Sequence, residues 1–285
     1  MIVVTGASGQ LGRLVIDALL QTLPAAEIVA AVRNPEKVAD LAALGVVVRA
    51  ADYSQPETLA AAFEGADKVL LISSSEVGQR FPQHQNVIAA AQTAGVGLLA
   101  YTSILHAAES PLPLALEHQQ TEQALAESSV PYVLLRNGWY TENYTASVPV
   151  ALEHGMVFGC AGEGRIASAA RADYAAAAAA VLTSTAPQAG KVYELAGDDA
   201  YTLTALAAEI AGQTGKAIVY QNMPEADYAA ALMGAGLPDY IATLLAESDT
   251  GASKGGLFDD SKTLSQLIGR PTTPLAEMVK IALAV

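Results

Sequence analysis

Short apolar runs alternate with longer stretches of helical periodicity from the first residues of the chain. "MIVVT" gives way to a helical stretch from Gln10, then come "EIVAAV", a helix from Glu36, "GVVVRA", a helix from Glu57 and "KVLLI". The alternation continues with a helix from about Gln83, "VGLLAYT", a helix from about Leu114 and "PYVLLR". Strands separated by ten or more helical residues imply crossover units, a parallel sheet and right-handed connections. The strand runs are continuously apolar rather than alternating, as expected when helices cover both faces of a sheet. The fold class this predicts is α/β, a doubly wound parallel sheet.

Beyond Asn137 the pattern loosens. The segment "HGMVFGCAGEGRIASA" is rich in glycine, an alanine helix starts near Arg171, and "KVYELA" reads as a strand. A helix from about Leu203, a strand "AIVYQN" and helices near Pro224 and Asp239 follow. An irregular "SDTGASKGGLFDDS" precedes a final helix from Pro274. The expected division is therefore 1–140 for the sheet domain and 141–285 for a smaller α/β lobe, with a soft boundary and shared strands.

Composition narrows the class. The chain has 285 residues, of which 52% are hydrophobic, and its mean hydropathy is +0.31. Its most apolar helix, "YAAAAAAVL", is too short to cross a bilayer and is mostly alanine, the strongest helix former. No basic segment precedes an apolar one at the N-terminus, so a cytoplasmic protein without membrane insertion is expected. A net charge of −14 disfavours a nucleic-acid partner. The single cysteine, Cys160, excludes an internal disulfide and reads as a small buried apolar residue. His84, His106, His118 and His154 show no metal-ligand spacing, so no metal is expected. A homo-oligomer stays open.

The chemistry begins with "TGASGQLG". Gly6, Gly9 and Gly12 lie between a strand and an amphipathic helix, where the first glycine permits a sharp turn. The second lets a pyrophosphate approach the backbone and the third lets helix and strand pack closely. The helix beyond offers unpaired N–H groups and a positive dipole end. This makes 1–140 a dinucleotide-binding, Rossmann-type domain. The second strand ends "AAVRNPEK", with Arg33 where an NAD-preferring site carries an acid. Its planar charged fork suits a 2′-phosphate, which favours NADPH; the alternative is an arginine paired to Glu36. Ser73, Ser74 and Ser75 follow the fourth strand, at the end of the sheet where ligands lie.

The G-x-x-G-x-x-G spacing resembles the extended and atypical short-chain dehydrogenases/reductases. Tyrosine-dependent members carry Tyr-x-x-x-Lys on the helix after the fifth strand. Here that helix reads "SPLPLALEHQQTEQALAES". With Glu122 aligned to the acid that often follows the lysine, His118 takes the lysine position and Leu114 the tyrosine position. Catalysis by a phenol–lysine pair is not supported. A hydride acceptor that delocalises the incoming charge, such as a quinone, needs no such pair, and catalysis is then mainly positioning. The catalytic group is unknown; His118 and Tyr101 are weak candidates for supplying a proton.

"LLRNGWYTENY", "LLISSSEVGQR", "RADYAAAAAAVL" and "GASKGGLFDDSKTLSQLIGRPTTPLAE" extend the resemblance along the whole chain. They are similar to the bacterial type 2 NAD(P)H:quinone oxidoreductases, of the NmrA-like group that also contains triphenylmethane reductase. The resemblance implies NADPH-dependent two-electron reduction of quinones without flavin or metal, in a cleft between the two lobes. It implies cofactor contacts at Gly6, Ala7, Ser8, Gly9, Gln10, Leu11, Arg33, Ser73, Ser74 and Ser75, beside Gly12 of the glycine motif. It adds Asn137, Gly138, Trp139, Tyr140, Thr141, Glu142 and Arg171. An alternative in the same group is an NADP(H)-binding redox sensor that acts through a protein partner.

Overall fold

A computed structural model describes residues 1–284. In chain order it forms β1 (Ile2–Thr5), α1 (Gln10–Leu20), β2 (Ile28–Val32), α2 (Ala39–Ala43), β3 (Val47–Ala50) and α3 (Pro56–Ala62). There follow β4 (Lys68–Leu71), α4 (Arg80–Thr93), β5 (Leu98–Ile104), α5 (Ala115–Glu127), β6 (Tyr132–Asn137), α6 (Thr141–Thr145), α7 (Val148–His154) and β7 (Met156–Gly159). The chain ends with α8 (Arg171–Thr183), β8 (Val192–Leu195), α9 (Leu203–Thr214), β9 (Val219–Asn222), α10 (Glu225–Gly234), α11 (Asp239–Ser253), α12 (Thr263–Ile268) and α13 (Leu275–Leu283).

One sheet has the order β3-β2-β1-β4-β5-β6-β8, and β1 to β6 pair parallel. In register, Val3 faces Val29 on one side and Val69 on the other, and Tyr101 faces Leu134. The central strands β1, β2 and β5 are buried throughout, while the edge strand β3 is only half-buried. That accounts for the unbroken apolar runs. The chain leaves β1 toward β2 and β3, then returns to β4 on the other side. The carboxyl ends of β1 and β4 are thus neighbours at the topological switch point, where open α/β sheets bind ligands.

The structure divides into two compact units, each discontinuous in sequence. The first comprises Met1–Ala107, Leu116–Asn137 and Arg171–Tyr193. Its core includes Val3, Val29, Leu59, Phe63, Leu71, Val87, Leu99, Tyr101 and Leu125. The alanine helix α8 belongs here, packed along α1, because small side chains let two helices approach closely; Ala175, Ala177 and Ala178 are buried. Lys68 Nζ donates to the Leu182 carbonyl (2.6 Å) at the last turn of α8, where a cation suits the helix dipole.

The second unit comprises Ala108–Ala115, Gly138–Ala170 and Glu194–Val285. Within it β7 and β9 pair parallel, Val157 opposite Tyr220, and α9 packs on both strands. The β7 strand was hidden by its glycine-rich surroundings. The irregular reading of "SDTGASKGGLFDDS" holds only for its second half, since α11 runs to Ser253. Ala242, Ala246 and Asp249 recur at helical spacing and are buried. Added side-chain bulk at Gly251 would strike Leu112, at 2.8 Å, so that glycine is there for close approach.

Candidate cofactor site

The three glycines of the corner after β1 do different work. Gly6 has φ +59°, a left-handed turn that a side chain would strain. Gly9 sits at the N-cap of α1 in extended conformation, its N–H donating to the Gly6 carbonyl (2.9 Å). A Cβ on Gly12 would lie 2.5 Å from the Gly6 carbonyl oxygen and 2.7 Å from Ala7 Cα, so this position fixes the packing of helix on turn. Ala7 and Leu11 are buried anchors, whereas Ser8, Gly9 and Gln10 face solvent. The first turn of α1 has no side-chain cap and no acidic residue. Its amide donors and positive dipole end are therefore uncompensated, as an anionic group requires.

Arg33 follows directly on β2 and is exposed. Its Nη1 is paired with Glu76 Oε1 at 2.8 Å, not with Glu36, whose N–H instead donates to Asn34 Oδ1 (3.1 Å). The carboxylate that meets Arg33 comes from the segment after β4.

That segment carries the three serines and is held from outside. Ser73 N–H donates to Thr102 Oγ1 (2.8 Å). Ser74 N–H donates to His84 Nε2 (2.9 Å), while Arg80 Nε donates to the Ser74 carbonyl (2.6 Å). Both peptide groups of one serine are thus gripped by α4. Because Nε2 accepts, the His84 proton resides on Nδ1, 2.9 Å from Thr121 Oγ1, which in turn donates to the Glu117 carbonyl. Burial, with the nearby Arg80 charge, pushes His84 down to about 3, so the ring stays neutral. Glu117 accepts from the N–H groups of Gly78 and Phe81 and lies 3.9 Å from Arg80 Nη1. Nothing in the sequence pattern singled out Arg80, His84 or Glu117. A histidine four residues after an arginine on a helix is not a recognisable signal until the fold brings both to the serine loop.

Tyr101 and His118 are brought together in the interior. Both are buried, and Tyr101 Oη lies 2.7 Å from His118 Nδ1. Burial raises the phenol and lowers the imidazole, so both are held neutral. Glu122, the acid used for alignment, accepts from Arg136 Nε (2.9 Å) and Nη2 (2.6 Å) and from Ser103 Oγ. It belongs to a half-buried ion pair.

Asn137 ends β6, its carbonyl accepting from Leu105 N–H (2.9 Å), and Arg171 opens α8; both belong to the first unit. Gly138, Trp139, Tyr140, Thr141 and Glu142 belong to the second. There Trp139 and Thr141 form a short ladder with Ala169, and Gly138 N–H donates to Leu195 O (2.7 Å). Thr141 Oγ1 lies 2.8 Å from Ser168 Oγ, which meets Tyr201 Oη at 2.7 Å. Elsewhere in that unit Asp249 is buried, accepts from Tyr144 Oη (2.9 Å) and Cys160 N–H (2.9 Å), and is raised by burial to about 6. Cys160 is half-buried rather than a plain core residue. Its thiol donates to the Ala246 carbonyl (3.2 Å) and is pushed up to about 11 by burial. Among the described residues, no helix is long and apolar enough to cross a membrane. Nor do three or more His, Cys, Asp or Glu side chains gather there as a metal-binding group.

Residues 6–185 match a family model described as NAD(P)H-binding. The chain is 64% identical to quinone oxidoreductase 2 of Escherichia coli over 279 residues, covering 98% of this chain and 97% of that protein. A crystal structure of that NADPH-dependent quinone oxidoreductase complexed with NADPH has TM-score 0.97 and 63% identity, covering 99% and 100% of the two chains. The Citrobacter sp. triphenylmethane reductase complexed with NADP(H) has TM-score 0.95 and 40% identity, again covering 99% and 100%. The chain belongs to the NAD(P)H-binding family, in the group represented by quinone oxidoreductase 2 and triphenylmethane reductase.

Proposed function

We propose that this protein is an NADPH-dependent oxidoreductase that reduces quinones by two electrons. The observation that carries the reading is near-full-length 64% identity to the E. coli quinone oxidoreductase, together with a glycine corner suited to a pyrophosphate. When bound, the dihydronicotinamide supplies the hydride.

The chain's own residues bind, orient and exclude water. The amides of Ser8, Gln10 and Leu11, at the uncapped start of α1, would meet the pyrophosphate. Arg33 would meet the 2′-phosphate with charge-assisted bonds. Ser73, Ser74 and Ser75 would line the dinucleotide beyond the switch point, on a loop held by His84 and Arg80. On the resemblance, Asn137 and Arg171 in the first unit and Gly138, Trp139, Tyr140, Thr141 and Glu142 in the second are candidate cofactor contacts. A quinone delocalises the charge it accepts, so positioning the reacting carbons carries most of the catalysis. That agrees with the burial of Tyr101 and His118, which pairs them with each other.

The test is anaerobic oxidation of NADPH, and separately NADH, by the purified protein with benzoquinones and naphthoquinones and no added flavin. Saturable turnover with NADPH is expected. Tight dinucleotide binding without turnover on any quinone would overturn the reading in favour of a redox sensor. Arg33→Ala is expected to weaken NADPH by about 1–3 kcal/mol while leaving NADH nearly unchanged. Equal losses for the two cofactors in a binding titration would remove the 2′-phosphate assignment.

A further inference from the structure

Arg33 is not alone at the end of β2. Glu76 is held at three points: its N–H donates to Ser74 Oγ (3.1 Å), Oε1 meets Arg33 Nη1 (2.8 Å) and Oε2 accepts from Gln83 Nε2 (2.7 Å). Gln83 is itself buried on α4 and also donates to Ser54 Oγ (3.2 Å). The carboxylate is therefore a fixed negative charge against the arginine rather than a wandering surface acid.

The consequence rests on the assignment of Arg33 to a 2′-phosphate. Two anions then share one guanidinium. Arginine has donors enough to serve both in part, but carboxylate and phosphate are left well within a Debye length of each other. A 2′-hydroxyl meets the opposite situation, since a carboxylate is an acceptor for ribose hydroxyls. We infer that Glu76 is a specificity-determining residue that narrows the preference for NADPH over NADH. It competes with the 2′-phosphate for Arg33 and offers an acceptor to the unphosphorylated ribose. The β2 acid that NAD-preferring sites carry is thus supplied here from the loop after β4.

Calorimetric titration of the whole chain with NADP⁺ and NAD⁺ tests this without turnover. Glu76→Gln keeps the shape and removes the charge. It is expected to tighten NADP⁺ and to raise the ratio of the NAD⁺ to the NADP⁺ dissociation constant by about fivefold, the equivalent of about 1 kcal/mol for an exposed charge pair. Glu76→Ala should move the ratio in the same direction, and high salt should shrink the gain. Arg33→Ala runs alongside as the reference. If Arg33→Ala lowers the ratio but neither Glu76 variant moves it, Glu76 is an ordinary surface ion-pair partner and the inference falls alone. If Arg33→Ala leaves the ratio unchanged, the phosphate does not lie at Arg33, and both the inference and the assignment beneath it fall.

Discussion

The loop after β1 is held by its own backbone, whereas the loop after β4 is held by side chains from two helices. They leave adjacent parallel strands side by side, close enough that a Cβ on Gly6 would touch Ile72 at 3.6 Å. In the first, shape comes from Gly6 at positive φ and from the contact at Gly12 that admits no side chain. The amides of Ser8, Gln10 and Leu11 at the start of α1 are left available for a ligand. In the second, Ser74 has both peptide groups occupied by His84 and Arg80, and those residues lean on Thr121 and Glu117 of α5. A glycine turn can be specified by a few consecutive residues. A loop of ordinary residues acquires one conformation only when distant groups impose it, and those groups must be buried and polar to do so.

The serine loop is therefore the more fragile of the two. Arg80 is buried, and its Nη1 has no hydrogen-bond partner, only the Glu117 carboxylate 3.9 Å away to balance its charge. Removing that charge leaves an uncompensated buried cation and strips an acceptor from Gly78 and Phe81. Glu117→Ala is expected to cost about 3–5 kcal/mol in denaturant unfolding, the range for breaking a buried pair. A loss below about 1 kcal/mol would show that the network is not what holds the loop. The glycine corner is expected to respond less. Gly12→Ala must displace backbone and should cost about 1–3 kcal/mol. Gly9→Ala, whose φ is −78° and whose Cβ would lie 3.2 Å from the Gly6 carbonyl, should stay within about 0.5 kcal/mol. Equal costs at the two glycines would erase the distinction between packing and ligand-facing positions.

The same contrast explains what could be read from the sequence. The parallel, doubly wound class of the sheet and the glycine corner were legible because their signals are local: unbroken apolar runs, three glycines at fixed spacing and a helix start. Arg33 was legible by its place at the end of β2, but its partner was not. Glu36 lies three residues away in sequence, whereas the carboxylate that reaches it belongs to Glu76, brought there by the pairing of β1 between β2 and β4. His118 and Tyr101 look like proton donors when only residue types are considered. Their mutual hydrogen bond inside the first unit depends on how α5 lies on β5, which no periodicity encodes. The later segment Asn137 to Glu142 was named through resemblance alone, because its geometry rests on a ladder to Ala169 some thirty residues on.

The His84 effect is read as a dependence on pH. The ring is fully buried, with Arg80 as the neighbouring charge and the rings of Tyr53 and Tyr101 edge-on to it. Its ordinary value is 6.5 and the folded value is about 3, so between these the unfolded chain binds a proton that the native state does not. Stability from this residue is therefore complete above pH 6.5 and declines as the pH falls toward 3, by up to about 1.4 kcal/mol per pH unit. His84→Gln keeps an acceptor for the Ser74 N–H but cannot titrate. Between pH 7 and 5 the wild-type protein should lose about 2 kcal/mol more than the variant, measured by urea unfolding. His118 shifts in the same direction but is present in both proteins and cancels in the difference. Parallel pH profiles would mean that the folded ring takes up its proton as readily as the unfolded one, which would cost Nε2 its acceptor role toward the Ser74 N–H and leave the grip on the serine loop to Arg80 alone.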